Sequence, residues 1–150
     1  MFIFGDIGNS ETKVFLVSND KIIRSINFPS NKINEKIFNS KFKVLVKDFK
    51  KIKKILFCSV VPKSFNMIKN FLSKKVKVKC YEVKSLDLKS LINIKVSYKQ
   101  IGSDRITNAI SLVNNKNNFI ILDFGTATTF DVIRNRVYEG GVIAAGLKLS

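Results

Sequence analysis

A chain of 150 residues with 45% hydrophobic content can build one compact domain and part of another, and not two full ones. The net charge of +16 raises nucleic acid as a partner, yet only four of the 27 basic residues are Arg (Arg24, Arg105, Arg134 and Arg136), so the Lys excess reads as ordinary solvated surface. With no His in the chain, and no ligand-spaced partner for Cys58 or Cys80, a His general base and a zinc site are both excluded; the cysteines read as buried structural thiols.

The chain opens on an apolar strand, Phe2 to Phe4, that Asp6 interrupts, so no targeting leader is expected. No run reaches the roughly 18 to 20 apolar residues of a membrane span, and the chain reads as cytoplasmic with no membrane partner. Asp6-Ile7-Gly8-Asn9 forms a turn. Thr12 to Val17 and Ile22 to Phe28 are rich in β-branched and aromatic residues and flank the turn Ser18-Asn19-Asp20, which predicts a meander of hairpins. From Ser40 the spacing of Phe42, Leu45, Val46 and Phe49 predicts an amphipathic helix. Ile55 to Val61 reads as a strand buried on both faces, and Pro62 then begins a helix striped by Ile68, Phe71 and Leu72. Val76 to Val83, alternating with Lys, predicts the next strand.

A loop from Ser85 to Tyr98 leads to Gly102-Ser103-Asp104-Arg105, which opens a helix through Ile106, Ala109, Ile110 and Val113. Asn114 to Asn118 reads as a polar break. Phe119 to Leu122 is a fresh strand that ends at Asp123-Phe124-Gly125-Thr126. Here the chain echoes its own start: Asp6-x-Gly8 with Thr12 four residues on, against Asp123-x-Gly125 with Thr129 four residues on, each followed by a β-rich stretch turning near Asn19 or Asn135. The echo predicts a duplicated sheet domain with a nucleotide held between the copies, the first over 1–117 and the start of an incomplete second over 118–150.

The motifs carry compatible chemistry. Gly8 admits close backbone approach, Asn9 and Ser10 offer short donors, and Lys13 adds positive charge, an arrangement suited to phosphates; a plain Asx turn is the competing explanation. Asp6 can orient a magnesium-bound water. Asp123 to Thr129 repeats the logic with a row of hydroxyls, against the alternative of a Thr-rich hairpin. Gly102 to Arg105 sets a carboxylate beside a guanidinium at a helix start, which a helix cap with a surface ion pair would also explain. Without His, an Asp is the natural acceptor for the proton of a hydroxyl that attacks phosphorus.

Asp6-Ile7-Gly8-Asn9-Ser10, Ser59-Val60-Val61-Pro62, Gly102-Ser103-Asp104-Arg105, Asp123-Phe124-Gly125-Thr126-Ala127-Thr128-Thr129 and Gly140-Gly141-Val142-Ile143 fall in the order and spacing of type III pantothenate kinases, which the whole chain resembles. The resemblance implies an α/β, ribonuclease H-like duplicated fold of the actin/hexokinase/Hsp70 type, with the second copy truncated. It implies ATP-dependent phosphorylation of pantothenate to 4′-phosphopantothenate, the first step of coenzyme A synthesis. By position, Asp6, Ile7, Gly8, Asn9, Ser10, Glu11, Thr12, Lys13 and Thr126 would bind ATP with Mg2+. Asp104 would be the catalytic base. Tyr98, Gly102, Ser103 and Arg105 would frame pantothenate, and Asp123 would hold a monovalent cation, K+ or NH4+. Three departures stand out: Lys99-Gln100-Ile101 alone separate Tyr98 from Gly102, Ser10 replaces a commoner Thr, and Ala145 replaces a commoner Pro. Members of the family run on for about another hundred residues, the usual size of a second domain, and form dimers. Another phosphotransferase of this fold, or a non-catalytic nucleotide-binding accessory factor, is the alternative reading.

Overall fold

A computed structural model of the chain describes residues 1–113 and 117–146. By packing, the chain falls into two compact units, Met1–Leu86 and Asp87–Ser150. The boundary expected at 117/118 marks where the motif recurs. Packing divides the chain earlier because the helix opened by Ser103 lies against the strands that follow it.

The first unit is a five-stranded mixed sheet. Strands β1 (Phe2–Ile7), β2 (Glu11–Ser18) and β3 (Lys21–Pro29) form the expected antiparallel meander, and β4 (Lys54–Ser59) and β5 (Cys80–Glu82) add in parallel, giving the order β3-β2-β1-β4-β5. Helices α1 (Glu35–Leu45) and α2 (Pro62–Ser73) pack on the sheet and on each other. Period-2 burial on β1 sends Ile3, Gly5 and Ile7 inward and leaves Phe4 and Asp6 exposed on the opposite face. Much of the Phe content forms the core. Phe38 and Phe42 of α1 meet Phe71 of α2 with ring centroids 5.2 and 5.4 Å apart, and Phe28 of β3 edges onto Phe38 at 6.3 Å.

Three sequence expectations shift here. Helix α1 begins five residues before Ser40, because Asn34 caps it by accepting the Ile37 N–H at 2.9 Å; Phe49 lies beyond the helix, in a short 3-10 turn capped by Asp48. The strand expected over Val76 to Val83 shrinks to β5, since Val76 still donates to Leu72 O at the end of α2. Leu56 of β4 is half-buried instead of enclosed, the packed face of that strand being the one that carries Ile55 and Phe57.

The second unit contains β6 (Asn93–Ile94), α3 (Ser103–Leu112), β7 (Phe119–Phe124), β8 (Ala127–Arg134) and β9 (Val137–Ala145), with sheet order β6-β9-β8-β7. Strand β6 lies inside the segment expected to be a loop; two residues are too few to leave a periodic signal. The polar break expected over 114–118 lies partly outside the described residues. Among the described residues no helix is long and apolar enough to cross a membrane.

The internal repeat is explicit in the backbone. Strands β1 and β7 each have six residues, β2 and β8 eight, β3 and β9 nine. Both hairpins turn through two residues of positive φ, Asn19-Asp20 and Asn135-Arg136, whose left-handed geometry matches the twist of the flanking strands. Both also shift register before the turn, at Leu16/Val17 and at Val132/Ile133. One expectation is corrected. The loop after the first strand has three residues in the first copy and two in the second, so the pair Ile7↔Thr12 matches Phe124↔Thr128, and Thr12 corresponds to Thr128 and not to Thr129.

Candidate functional site

In the first unit, Gly8 leaves β1 and donates its N–H to Glu11 O at 3.0 Å, closing the loop Gly8-Asn9-Ser10. Ser30, just past β3, locks that loop from behind. Its N–H donates to Ser10 O at 2.9 Å, its hydroxyl to Gly8 O at 2.6 Å, and it stands 2.8 Å from the buried Thr12 hydroxyl. Since Ser30 spends its proton on Gly8, Thr12 is the donor to Ser30. The loop is therefore held rigidly while Asn9 and Ser10 remain exposed. Asp6 and Lys13 are direct cross-strand partners, so both lie on the exposed sheet face, where Lys13 also pairs with Glu11 at 3.4 Å. Beside the loop a cleft of about 400 Å³ is lined by Asn9, Ser30, Asn31, Lys63 and Ser64 among others, with no acidic residue, a lining that favours anions.

In the second unit, the N-terminus of α3 collects the Gly-Ser-Asp-Arg group. Asp104 is half-buried and accepts the N–H of Arg105 at 2.8 Å, and Tyr98 sits on a 3-10 turn just upstream. One helical turn beyond Asp104, Asn108 donates to Asp123 Oδ2 at 3.1 Å, so α3 ties the carboxylate at its start to the one near the end of β7. Gly125 donates to Ala127 O at 3.0 Å, as Gly8 does to Glu11 in the first copy. The copies differ behind the loop. Position 146, equivalent to Ser30, is glycine, where a Cβ would lie 2.3 Å from Thr126 O. A glycine has no hydroxyl to act as that of Ser30 does, and the buried Thr128 and Thr129 hydroxyls have no hydrogen-bond partner among the described residues. The hydroxyl that the first copy commits to its own scaffold at Thr12 is thus uncommitted at the equivalent Thr128.

The sequence reading missed three participants: Asn108, Asp131 and Tyr138. Asp131 is fully buried on β8, and its Oδ1 accepts Arg105 Nε at 2.8 Å, Arg105 Nη2 at 2.6 Å and the Tyr138 hydroxyl. The hydrogen bond to Asp131 raises the Arg105 guanidinium above its already high range, against the opposing effect of burial. Burial, followed by the hydrogen bond to Asp131, pushes the Tyr138 phenol well above its usual value. An acid two residues beyond Thr129 on a strand gave only a weak signal.

A family model for type III pantothenate kinase matches residues 2–150. The chain belongs to the type III pantothenate kinase family. A type III pantothenate kinase of Pelagibacter ubique is 58% identical over 151 residues, covering all of this chain and 61% of the relative; one of Sulfurihydrogenibium sp. is 33% identical and covered to 62%. The chain therefore spans about three fifths of the curated relatives it matches. Among solved structures, a protein of Campylobacter jejuni described as a Baf family transcriptional activator aligns with TM-score 0.56 and 20% identity over 97% of this chain and 55% of that one. A protein of Porphyromonas gingivalis described as an N-acetylglucosamine kinase aligns with TM-score 0.52 and 12% identity over 95% of this chain and 47% of that one. These place the fold in the actin/hexokinase/Hsp70 class expected for the family.

Proposed function

We propose that this type III pantothenate kinase chain carries the phosphate loops and the catalytic base of an enzyme that transfers the γ-phosphoryl group of ATP to the primary hydroxyl of pantothenate, the first step of coenzyme A synthesis. The observation that carries the reading is α3, which holds Asp104 at its N-terminus and, through Asn108, the carboxylate of Asp123. Asp104 accepts the proton of the attacking hydroxyl, the new O–P bond forms, the bond from the γ-phosphorus to the bridging oxygen breaks, and ADP leaves. Tyr98, Gly102, Ser103 and Arg105 frame pantothenate.

Residues Asp6 to Lys13 bind ATP. The acid-free cleft beside Asn9 and the rigid backing of the loop by Ser30 support this assignment. Magnesium is commonly held by one or two carboxylates together with substrate phosphates, and the exposed carboxylate of Asp6 suits that donor set; when bound, the ion neutralises phosphate charge. Asp123 and Thr129 are direct cross-strand partners and share a sheet face, so the Asp123 carboxylate and the Thr129 hydroxyl supply oxygen donors for K+ or NH4+. Homodimerisation and a cytoplasmic location belong to the same reading.

The experiment is ATP- and pantothenate-dependent ADP release, with and without K+, compared with nucleotide binding by calorimetry. ATP binding without turnover in the protein as its gene encodes it would favour instead a non-catalytic regulator on the same fold, the reading raised by the description of the Campylobacter structure.

A further inference from the structure

The phosphoryl-transfer reading assigns no role to Gly140-Gly141-Val142-Ile143, a motif that lies opposite the buried acid of β8. Gly141 is the β-sheet partner of Asp131. A Cβ at Gly141 would stand 2.6 Å from Arg105 Nη2, 2.6 Å from Asp131 Oδ1 and 2.0 Å from Phe130 O. The missing side chain is therefore the space through which the Arg105 guanidinium reaches the sheet. Tyr138, on the same strand as Gly141, closes the arrangement with its hydroxyl on the same carboxylate oxygen.

We propose that Asp131, Tyr138 and Gly141 form a positioning clamp that fixes Arg105 for pantothenate recognition. The inference rests on the reading of Arg105 as a substrate-framing residue. Both bonds to Asp131 come from the Nε–Nη2 edge, so the Nη1 end of the guanidinium is not committed to the clamp. Five donors in one rigid plane allow one edge to be anchored while another is presented. The clamp also acts on its neighbour. Arg105 follows Asp104 on the first turn of α3 and donates its backbone N–H to the Asp104 carboxylate, so anchoring the Arg105 side chain to β8 fixes the turn that carries the base.

Stability alone is a poor reason for this cluster. A buried ion pair is often matched or bettered by apolar residues of the same volume, and here Asp131 Oδ2 is left buried without a hydrogen-bond partner among the described residues. What an apolar trio could not supply is the direction of the guanidinium.

The test uses the protein as its gene encodes it. Asp131→Asn is expected to raise KM for pantothenate about 10- to 100-fold while leaving KM for ATP unchanged. Arg105→Ala is expected to lose turnover and to regain part of it with added methylguanidinium, and the double variant Arg105→Ala/Asp131→Asn to regain none. Equal rescue in both backgrounds, or an Asp131→Asn protein with both KM values unchanged and only its thermal midpoint lowered, would overturn the clamp. Should the wild-type protein show no pantothenate turnover at all, the functional reading fails, and the clamp is judged by NMR. There an Arg105 Nε–H signal protected from solvent exchange in the wild type and lost in Asp131→Asn supports the anchoring, and an unprotected signal in the wild type refutes it.

Discussion

Gly5 lies in the middle of β1, directly paired with Phe57 of β4, and it sets how closely the strand bearing Asp6 and Gly8 approaches its parallel neighbour. A Cβ at position 5 would sit 2.1 Å from Phe57 Cε1 and 2.3 Å from Cδ1. The ring has little room to yield, since Phe57 is fully buried and its centroid lies 6.2 Å from that of Phe65. Overpacking a filled core costs ~1–3 kcal/mol, and the stiffer unfolded chain of an Ala variant offsets about 0.4–1 kcal/mol of that. Gly5→Ala is therefore expected to lower stability by roughly 1–2 kcal/mol. Phe57→Leu removes the offending ring edge, so in that background Gly5→Ala should be nearly neutral, a coupling of about 1–2 kcal/mol. Urea unfolding of the four proteins by far-UV circular dichroism gives the cycle directly. Additivity within ~0.5 kcal/mol would refute the steric account of Gly5.

Ser30→Ala should leave the buried Thr12 hydroxyl and the Gly8 carbonyl without their shared partner, costing about 1–3 kcal/mol in urea unfolding and weakening ATP binding by calorimetry. Asn108→Ala frees the Asp123 carboxylate and is expected to raise the K+ concentration needed for half-maximal turnover, with KM for pantothenate unchanged. Burial pushes the Cys80 thiol up to about 12, opposed by the nearby Lys69 charge. The folded pKa lies above the unfolded value of about 8.5, so this contribution is fully present below that pH and is lost as pH rises toward 12, with a slope of about 1.4 kcal/mol per unit. The difference in unfolding free energy between wild type and Cys80→Ala should show that slope, and in the native protein neither buried cysteine should react with a thiol reagent at neutral pH.

The elements read most clearly from sequence were those with local signals. Hairpin strands announced themselves by β-branched residues around Asn19-Asp20, α2 by Pro62 and its apolar stripe, and α3 by the Gly-Ser-Asp start. Helix α1 starts earlier than Ser40 because its buried stripe begins at Phe38, four residues before Phe42, and Asn34 caps it through the Ile37 N–H; the spacing from Phe42 onward marks only its second half. The repeat was legible in its motif and misaligned by one residue, since a loop shortened from three residues to two leaves no trace in composition. The two loops proposed to bind phosphates are visible because Gly, Asp and Thr cluster in and around them. The clamp was not: Arg105 and Asp131 are 26 positions apart, and only the fold brings them together.

The most direct test of the phosphoryl-transfer account is ADP release on ATP and pantothenate, in the presence of K+, by the protein as its gene encodes it and by its Asp104→Asn variant. The account predicts turnover that requires pantothenate and falls by two or more orders of magnitude in the variant, with ATP affinity retained, as expected when a general base is removed from an intact site (about 10²–10⁴-fold). Turnover that survives Asp104→Asn undiminished would contradict the assignment of the base and, with it, the role given to α3.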